Sequence, residues 1–567
     1  MAPSKTTNEI LSSAGETRSM NTPRHAGQAI VDSLALHGVE RVFSVPGESY
    51  LAVLDGLHQA RIENVVARQE GGAAYMAEAH GKFTGQPGVA MVTRGPGASN
   101  AFVAVHSAWQ DGTPMVLFVG LIPVADRMRE SFQEFDPHAW FGTQTKRVFV
   151  LDEASRASEV VAEAFFAASS GRPGPVVVGL PEDIIAQNFT GELTAPIPVT
   201  EGAVSTEELQ QIIQALDGAQ RPLIMVGGQR WTPAAAAQVT AFAEANGIPV
   251  VQDWHASDRI PFGSPVNVGS LGYGRSNVAA GMLKDADVLV CVGAVLGDVS
   301  TDGFTLRQNP DAVNFLITAD ASLRGRSGNV SAHVLASPVA FARSVQGIEL
   351  GRAAQWDRWR EAGRRAQQEL STIASDDQLP PTREGTAHMS VLMRELIAKL
   401  PADVVNTVGA GNHTAWAQWY MPTNVFPAAL GTRNGSMGYS IPAAVAAAKH
   451  SPQRMVVAIC GDGEFLMNGQ ELAGAVQYGA PILAVVMDNS QFATIRDHQE
   501  SHYPGRVSGT QLCNPDFAAF GRAFGAHGEH ITSDEQIPLA VERALQAVAS
   551  GQPCVIHIVV DQAIALP

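Results

Sequence analysis

The sequence predicts an α/β protein of three domains, each built on a parallel sheet, and three observations carry that prediction. First, two continuous apolar runs, Met455-Val-Val-Ala-Ile-Cys460 and Pro481-Ile-Leu-Ala-Val-Val-Met487, flank a glycine turn and a segment with Leu466, Leu472 and Val476 among small and polar residues. This reads as strand, turn, helix, strand, with both strands buried in a parallel sheet. Second, the same order occurs early in the chain: Gly88-Val-Ala-Met-Val-Thr-Arg94, the turn Gly95-Pro-Gly97, a helix to Gln110, then Gly112-Thr-Pro114 and an apolar strand to Gly120. From turn to proline the offset is 19 positions there and 20 from Gly461 to Pro481, so two related α/β domains lie at opposite ends of the chain. Third, 567 residues exceed one core, and roughly 100–200 residues per domain suggests three.

Taken in order, residues 1–21 are polar with no apolar stretch and read as a loose tail, not a secretory signal. The first domain, 22–195, opens with a helix over 25–37, a strand at Arg41-Val-Phe-Ser-Val45 and the turn Pro46-Gly47-Glu-Ser49. A strand over 64–68 ends at Gln69-Glu70, where Gly71-Gly72-Ala73-Ala74 starts another helix, and Pro175-Val-Val-Val-Gly179 is the closing strand. The second domain, 201–351, has strands at Pro222-Leu-Ile-Met-Val226, Ile248-Pro-Val-Val251, the run ending Cys291-Val-Gly293, and Asn314-Phe-Leu-Ile317. Gly227-Gly228 suggests a nucleotide site, but no Gly-x-Gly-x-x-Gly occurs there, so a structural Rossmann-like domain is the reading. A linker, 352–387, contains a charged segment over 355–369 that reads as a solvated helix, and the third domain runs over 388–567.

Hydrophobic residues make up 45% and charged residues 16%, which describes a large, well-buried protein. A net charge of −17 argues against nucleic acid or an anionic membrane as partner, and no apolar run reaches transmembrane length. Cys291, Cys460, Cys513 and Cys554 show no Cys-x-x-Cys spacing and read as free thiols in a reducing compartment. A cytoplasmic location is the expectation.

The chemistry concentrates at Gly461-Asp462-Gly463 and Asp488-Asn489. Asp462 and Asn489 stand at the carboxyl ends of adjacent strands, where open α/β sheets bind ligands. They suit a hard cation on a diphosphate, with a backbone carbonyl near Gln491 as a third ligand and Gly463 allowing close backbone approach. A lone Gly-Asp-Gly is also a common tight turn. Glu70 stands at a strand end as Asp462 does; as a charge near a helix N-terminus it would need no further role.

With these residues in hand, the chain from Thr22 onward resembles the thiamine-diphosphate enzymes of the acetohydroxyacid (acetolactate) synthase type. Gly461-Asp462-Gly463 with Asn489, 27 positions on, resembles their signature for Mg2+ and the cofactor diphosphate. Arg68-Gln-Glu70-Gly-Gly-Ala-Ala is similar to their Arg-His-Glu-x-Gly-Ala-Ala, and Gly95-Pro-Gly-Ala-Ser-Asn100 to Gly-Pro-Gly-Ala-Thr-Asn. Ser131-Phe-Gln133-Glu-Phe-Asp136 resembles a Phe-Gln-Glu loop, and Gly435-Ser-Met437-Gly438 a Gly-Thr-Met-Gly turn. The resemblance implies the thiamine-diphosphate-binding fold, with pyrimidine-binding, Rossmann-like and diphosphate-binding domains. It implies that Glu70 activates the aminopyrimidine, that Met437 wedges between the cofactor rings with the Gly435 carbonyl accepting from the exocyclic nitrogen, and that Asn412 and His413 contact the diphosphate. His413 also fits a buried packing histidine. Gly47, Gly95, Asn100, Gly463 and Glu464 complete the implied cofactor contacts; Asp462, Asn489 and Gln491 are the implied metal positions. Gln133, and less directly Lys146, would lie near the bound intermediate. Because Glu70 and Asp462 belong to different domains, the resemblance implies a homodimer or homotetramer with composite sites.

The implied activity is a carboligase that decarboxylates or cleaves a pyruvate-like 2-oxo acid and passes the acyl carbanion to an acceptor. A decarboxylase, an aldehyde lyase or acetyltransferase, and an inactive cofactor-binding subunit are the alternatives. Four departures bear on the choice. Gly293-Ala-Val295-Leu-Gly-Asp298 replaces a segment whose arginine grips the second ketoacid in acetolactate synthases and which helps hold FAD, so a carboxylate clamp is missing and FAD is expected to be neither bound nor needed. Arg275, Arg324 and Arg326 are the candidate donors should a dinucleotide bind after all. Leu121 replaces a glutamine, Ile495-Arg-Asp-His-Gln499 lacks a tryptophan, and the chain to Pro567 leaves little for a C-terminal lid. Against simple decarboxylation, domain one has no His-His pair for proton delivery.

Overall fold

The computed structural model describes residues 24–306, 309–323, 329–563 and 566–567. Among these, three six-stranded sheets, all parallel in their pairings, follow one another along the chain. The first contains β1 (Arg41–Ser44), β2 (Glu63–Val66), β3 (Gly88–Val92), β4 (Met115–Leu121), β5 (Arg147–Val150) and β6 (Pro175–Pro181) in the order β2-β1-β3-β4-β6-β5. The third contains β13 (Val405–Val408), β14 (Ala429–Leu430), β15 (Val456–Gly461), β16 (Ile482–Asp488), β17 (His527–Ile531) and β18 (Cys554–Val559), ordered β14-β13-β15-β16-β18-β17. The two orders are the same permutation. The repeated strand, turn, helix and proline pattern thus reports two copies of one topology.

The second sheet has β7 (Pro222–Val226), β8 (Val250–Gln252), β9 (Asn267–Ser270), β10 (Val288–Val292), β11 (Val313–Ile317) and β12 (Ala332–Val334) in the order β12-β11-β10-β7-β8-β9. Its strand order reverses between β7 and β10, the arrangement of a doubly wound dinucleotide-type sheet. The Rossmann-like expectation stands without its glycine fingerprint.

Continuous apolar runs became central strands because they are covered on both faces: every residue of β3, β4 and β16 is buried. Of the strands not foreseen, β13 is interior but only four residues long, with Asn406 and Thr407 within it, while β5 and β17 are at sheet edges, where Arg147 and His530 are exposed. One solvated side breaks the apolar pattern that marks a buried strand. Punctuation works as expected at the helix Pro96–Asp111, which has proline at its start and Gly112 in the left-handed conformation after its end.

The 355–369 segment is helical over Asp357–Leu370 but is not a solvated linker. Trp359 Nε1 donates to the Pro222 carbonyl at 2.9 Å, Arg364 donates to the Phe262 carbonyl at 3.1 Å, and a Cβ on Gly363 would stand 2.5 Å from Met282 Sδ. Its charges occupy one face, while small and aromatic residues seat the other on the second domain. Domains one and three pack directly through the helices Glu70–Thr84 and Ser440–His450, where Tyr439 donates to buried Glu78 at 2.7 Å and meets Tyr75 edge-on. No helix among the described residues is long and apolar enough to cross a membrane.

Candidate active site

At the carboxyl ends of β13, β15 and β16, domain three encloses a cavity of about 250 Å3. Its walls bring together Asn412, His413, Gly435, Met437, Asp462, Gly463, Glu464, Asn489 and Gln491, with Met487, Phe492, Thr494 and Ile495 added by the fold. Asp462 begins a helix directly after β15, and Asn489 follows β16. Strand pairing sets both at one edge, since Gly461 is registered with Met487.

The donor set is hard oxygen. Asp462 accepts from the Gly463 N–H at 2.9 Å and from Asn514 at 2.8 Å, and it is 4% exposed. Burial pushes its carboxyl up to about 6; the Gly463 N–H opposes this and neighbouring Asp488 adds to it. A divalent cation would supply the missing counter-charge. Asn489 lies in the same wall, and among the described residues its Oδ1 accepts only a long 3.3 Å contact from the Gln491 N–H. The Gln491 side chain is committed to Arg496 at 2.9 Å and the Gln562 carbonyl at 3.0 Å, so a third ligand there falls to the main chain.

His413 heads the helix His413–Tyr420, and its buried Nε2 has no hydrogen-bond partner among the described residues. Burial pushes this imidazole down to about 3, which leaves it neutral. An orphaned ring nitrogen in a cavity wall fits an anionic oxygen better than it fits a packing role. The Asn412 amide is tied to Asp497 at 2.9 Å and Thr494 at 2.7 Å. Glu464 lines the cavity, yet its carboxylate accepts from the N–H groups of Gly438 at 3.0 Å and Ser440 at 3.2 Å. It holds the turn that carries Met437, and burial pushes it up to about 7 against those donors. Gly463 is needed for a reason the sequence did not disclose: a Cβ there would meet the Phe492 ring at 2.4 Å.

The first-domain residues form a second group away from this cavity. Asn100 Nδ2 donates to Glu70 Oε2 at 2.9 Å, and Gly95, at φ 54°, lies so close to Gln133 that a Cβ would be 3.0 Å from its carbonyl. Gly47 packs on Thr93. None of these lines the Asp462 cavity. Lys146 departs from expectation: it precedes β5, at the amino edge of the sheet, and donates to the Ser170 carbonyl. Burial and the nearby Arg230 pull its amine down to about 8, but it does not share the cleft of Gln133.

A family of three models matches the chain in the same order as the three sheets. The N-terminal thiamine pyrophosphate enzyme domain matches residues 24–140, the central domain 209–344, and the C-terminal domain 409–558. The chain belongs to the thiamine pyrophosphate enzymes. It is 30% identical to the acetolactate synthase isozyme 2 large subunit of Escherichia coli (strain K12), over 95% of this chain and 96% of that one. It is 30% identical to the acetolactate synthase large subunit of Parasynechococcus marenigrum (92% and 85% covered) and 29% to that of Corynebacterium glutamicum (97% and 89%). This thiamine-diphosphate-dependent enzyme is therefore of the acetolactate synthase type.

Two groups have no sequence signal. Glu471, fully buried in domain three, accepts the Arg68 N–H at 3.0 Å and the Gln69 N–H at 3.1 Å, and so fixes the corner before Glu70. Burial pushes its carboxyl up from 4.5 to about 7. With a raised folded-state value, the stability it contributes is complete below pH about 4.5 and is lost as pH rises through about 7. Glu471→Gln keeps an oxygen for both N–H groups, and its stability relative to the parent enzyme should rise between pH 5 and pH 8. Chemical denaturation at both values checks this; parallel pH dependence would show that Glu471 does not titrate there. The second group is Asn514, which reaches Asp462 from 52 positions away.

A second cavity of about 250 Å3 lies between domains one and two, at the switch point between β7 and β10. Gly228, Gly293, Val295 and Asp298 line it, with Arg172, Arg230 and Arg433. Arg433 is paired with buried Asp253, and Arg230 with Glu201. Arg275 is not in its wall and pairs with Asp302; Arg324 and Arg326 lie outside the described residues.

Proposed function

We propose that the enzyme is a Mg2+-dependent carboligase in which two copies complete each site, decarboxylating a pyruvate-like 2-oxo acid and transferring the two-carbon unit to an acceptor. The observation carrying this reading is the division of the machinery: cation and diphosphate donors surround a cavity built by domain three alone, while Glu70, Asn100 and Gln133 stand together in domain one. Exposed apolar side chains flank both groups. Leu466 and Met467, on the helix from Asp462, are 45% and 47% exposed; Phe132, beside Gln133, is 73% exposed. A second copy that covers these faces brings a Glu70 to each Asp462.

Thiamine diphosphate supplies an electron sink next to the carbonyl under attack. Asp462 and Asn489 hold the cation that anchors its diphosphate, with His413 a neutral donor beside it. Glu70, oriented by Asn100, presents a carboxylate to the aminopyrimidine ring. Met437, on the turn braced by Glu464 and Ser440, would contact the cofactor rings from the cavity wall. Met487 and Phe492 give the cavity an apolar lining that limits water.

Incubation with pyruvate alone, with added aldehydes and with phosphate, followed by product analysis, tests the reading. Ligation products are expected; acetaldehyde as the sole product under all three conditions would replace carboligation by simple decarboxylation. We further expect no flavin requirement. Two of the arginines at the second cavity are already committed, Arg433 to Asp253 and Arg230 to Glu201, and Val295 stands in its wall where the sequence lacks an arginine. Stoichiometric flavin absorbance from the purified protein, released on denaturation, would refute this.

A further inference from the structure

Behind the cation donors lies a polar network that the sequence patterns do not mark. Asn514 directs its single amide nitrogen at two carboxylates, Asp462 Oδ2 and Asp488 Oδ1, each at 2.8 Å. The orientation is dictated by chemistry, because the flipped amide would set its oxygen against both anions. Asp488 Oδ1 also accepts from Ser490 N at 2.8 Å and Ser490 Oγ at 3.1 Å, and Ser490 has φ 54°. Asp488 thereby shapes the turn that presents Asn489 and the Gln491 main chain. Its other oxygen pairs with His557 Nε2 at 3.0 Å, and His557 Nδ1 accepts the Phe517 N–H at 3.2 Å. That backbone donor assigns a ring proton to Nε2, so the imidazole donates to Asp488. Asp488 and His557 are 5% and 3% exposed, and the His530 ring stacks over His557 at 4.4 Å.

The network has two consequences. It holds Asp462 and the Asn489 turn in fixed relation, although they come from different strands. It also places a second buried carboxylate behind the first, and among the described residues no lysine or arginine is bonded to either. Two adjacent buried anions favour a divalent cation strongly. The neighbouring His530, His557 and Asp516 could themselves suggest a metal site. However, the two rings are parallel within 7°, whereas a metal must lie near the plane of each imidazole it binds.

We propose that Asn514, Asp488 and His557 are positioning residues that preassemble the divalent-cation site, so that the protein takes up the cation before the cofactor diphosphate arrives. The inference rests on the reading of Asp462 and Asn489 as cation donors. The test is Mn2+ uptake by the full-length, chelator-stripped protein, followed through the electron paramagnetic resonance of free Mn2+ with and without thiamine diphosphate. The parent enzyme should bind Mn2+ in both conditions. Asn514→Ala and Asp488→Asn should each weaken binding roughly ten- to hundredfold, the usual cost of losing a partner of a metal ligand. His557→Leu should weaken it similarly. His557→Gln, whose amide can still donate to Asp488, should restore most of the affinity, which a purely structural histidine would not predict. Mn2+ uptake by the parent only when the cofactor is present would overturn preassembly. Unchanged affinity in a folded Asn514→Ala, or equal affinities for His557→Leu and His557→Gln, would overturn the positioning roles. No uptake under either condition would instead sink the cation site itself.

Discussion

Asp462→Ala is expected to abolish cation-dependent uptake of thiamine diphosphate while leaving the three sheets folded. Removing a buried carboxylate that lines the cavity takes away both a ligand and the charge that balances the cation. The loss should exceed the roughly 10- to 100-fold cost of removing an outlying partner of a metal ligand. Calorimetry or circular dichroism with cofactor and Mg2+ measures it. The fold should tolerate the change, because the Asp462 carboxyl is held up at about 6 by burial and Asp488 and is therefore an electrostatic cost until a cation arrives. Undiminished binding in the variant would remove the argument for a metal at this position.

Glu70→Gln should give the opposite split: cofactor bound, chemistry lost. The glutamine can keep the contact with Asn100, now 2.9 Å from the carboxylate, and the helix Glu70–Thr84 keeps its Gln69 cap. An amide cannot supply the ionised partner that the aminopyrimidine needs. Exchange of the cofactor C2 proton, followed by deuterium uptake in rapid quench, should fall about 10²- to 10⁴-fold, the range typical of general acid–base groups. Exchange at the parental rate would refute the role of Glu70. Together the two variants separate the halves of the site, one variant failing to bind and the other failing to react.

The same division explains what could be read from the chain. Strands covered on both faces declare themselves as apolar runs, so β3, β4, β15 and β16 were legible, as was the position of Asp462 and Asn489 at their ends. Edge strands such as β17, His-Gly-Glu-His-Ile, carry no such signal, because half their side chains face water. Local motifs with a fixed backbone shape, Gly435-Ser-Met437-Gly438 and Gly461-Asp462-Gly463, also survived translation into structure. Lys146 departs from the sequence reading because it precedes β5 and so falls at the edge opposite the ligand-binding one; the parallel direction of β5 is visible only in its pairing with β6.

What the sequence by itself determined was the repeated topology, the three-domain order and the identity of the residues at the ligand edges, since each depends on patterns within some thirty positions. Only the tertiary structure decided which of those residues meet. It placed Asn514 across both carboxylates, set Glu471 from domain three beneath the Glu70 corner, turned Glu464 toward the Met437 turn, and separated Glu70 from the Asp462 cavity. These contacts join positions far apart in the chain, and their energy comes from satisfying buried polar groups, a constraint that exists only once the domains have packed.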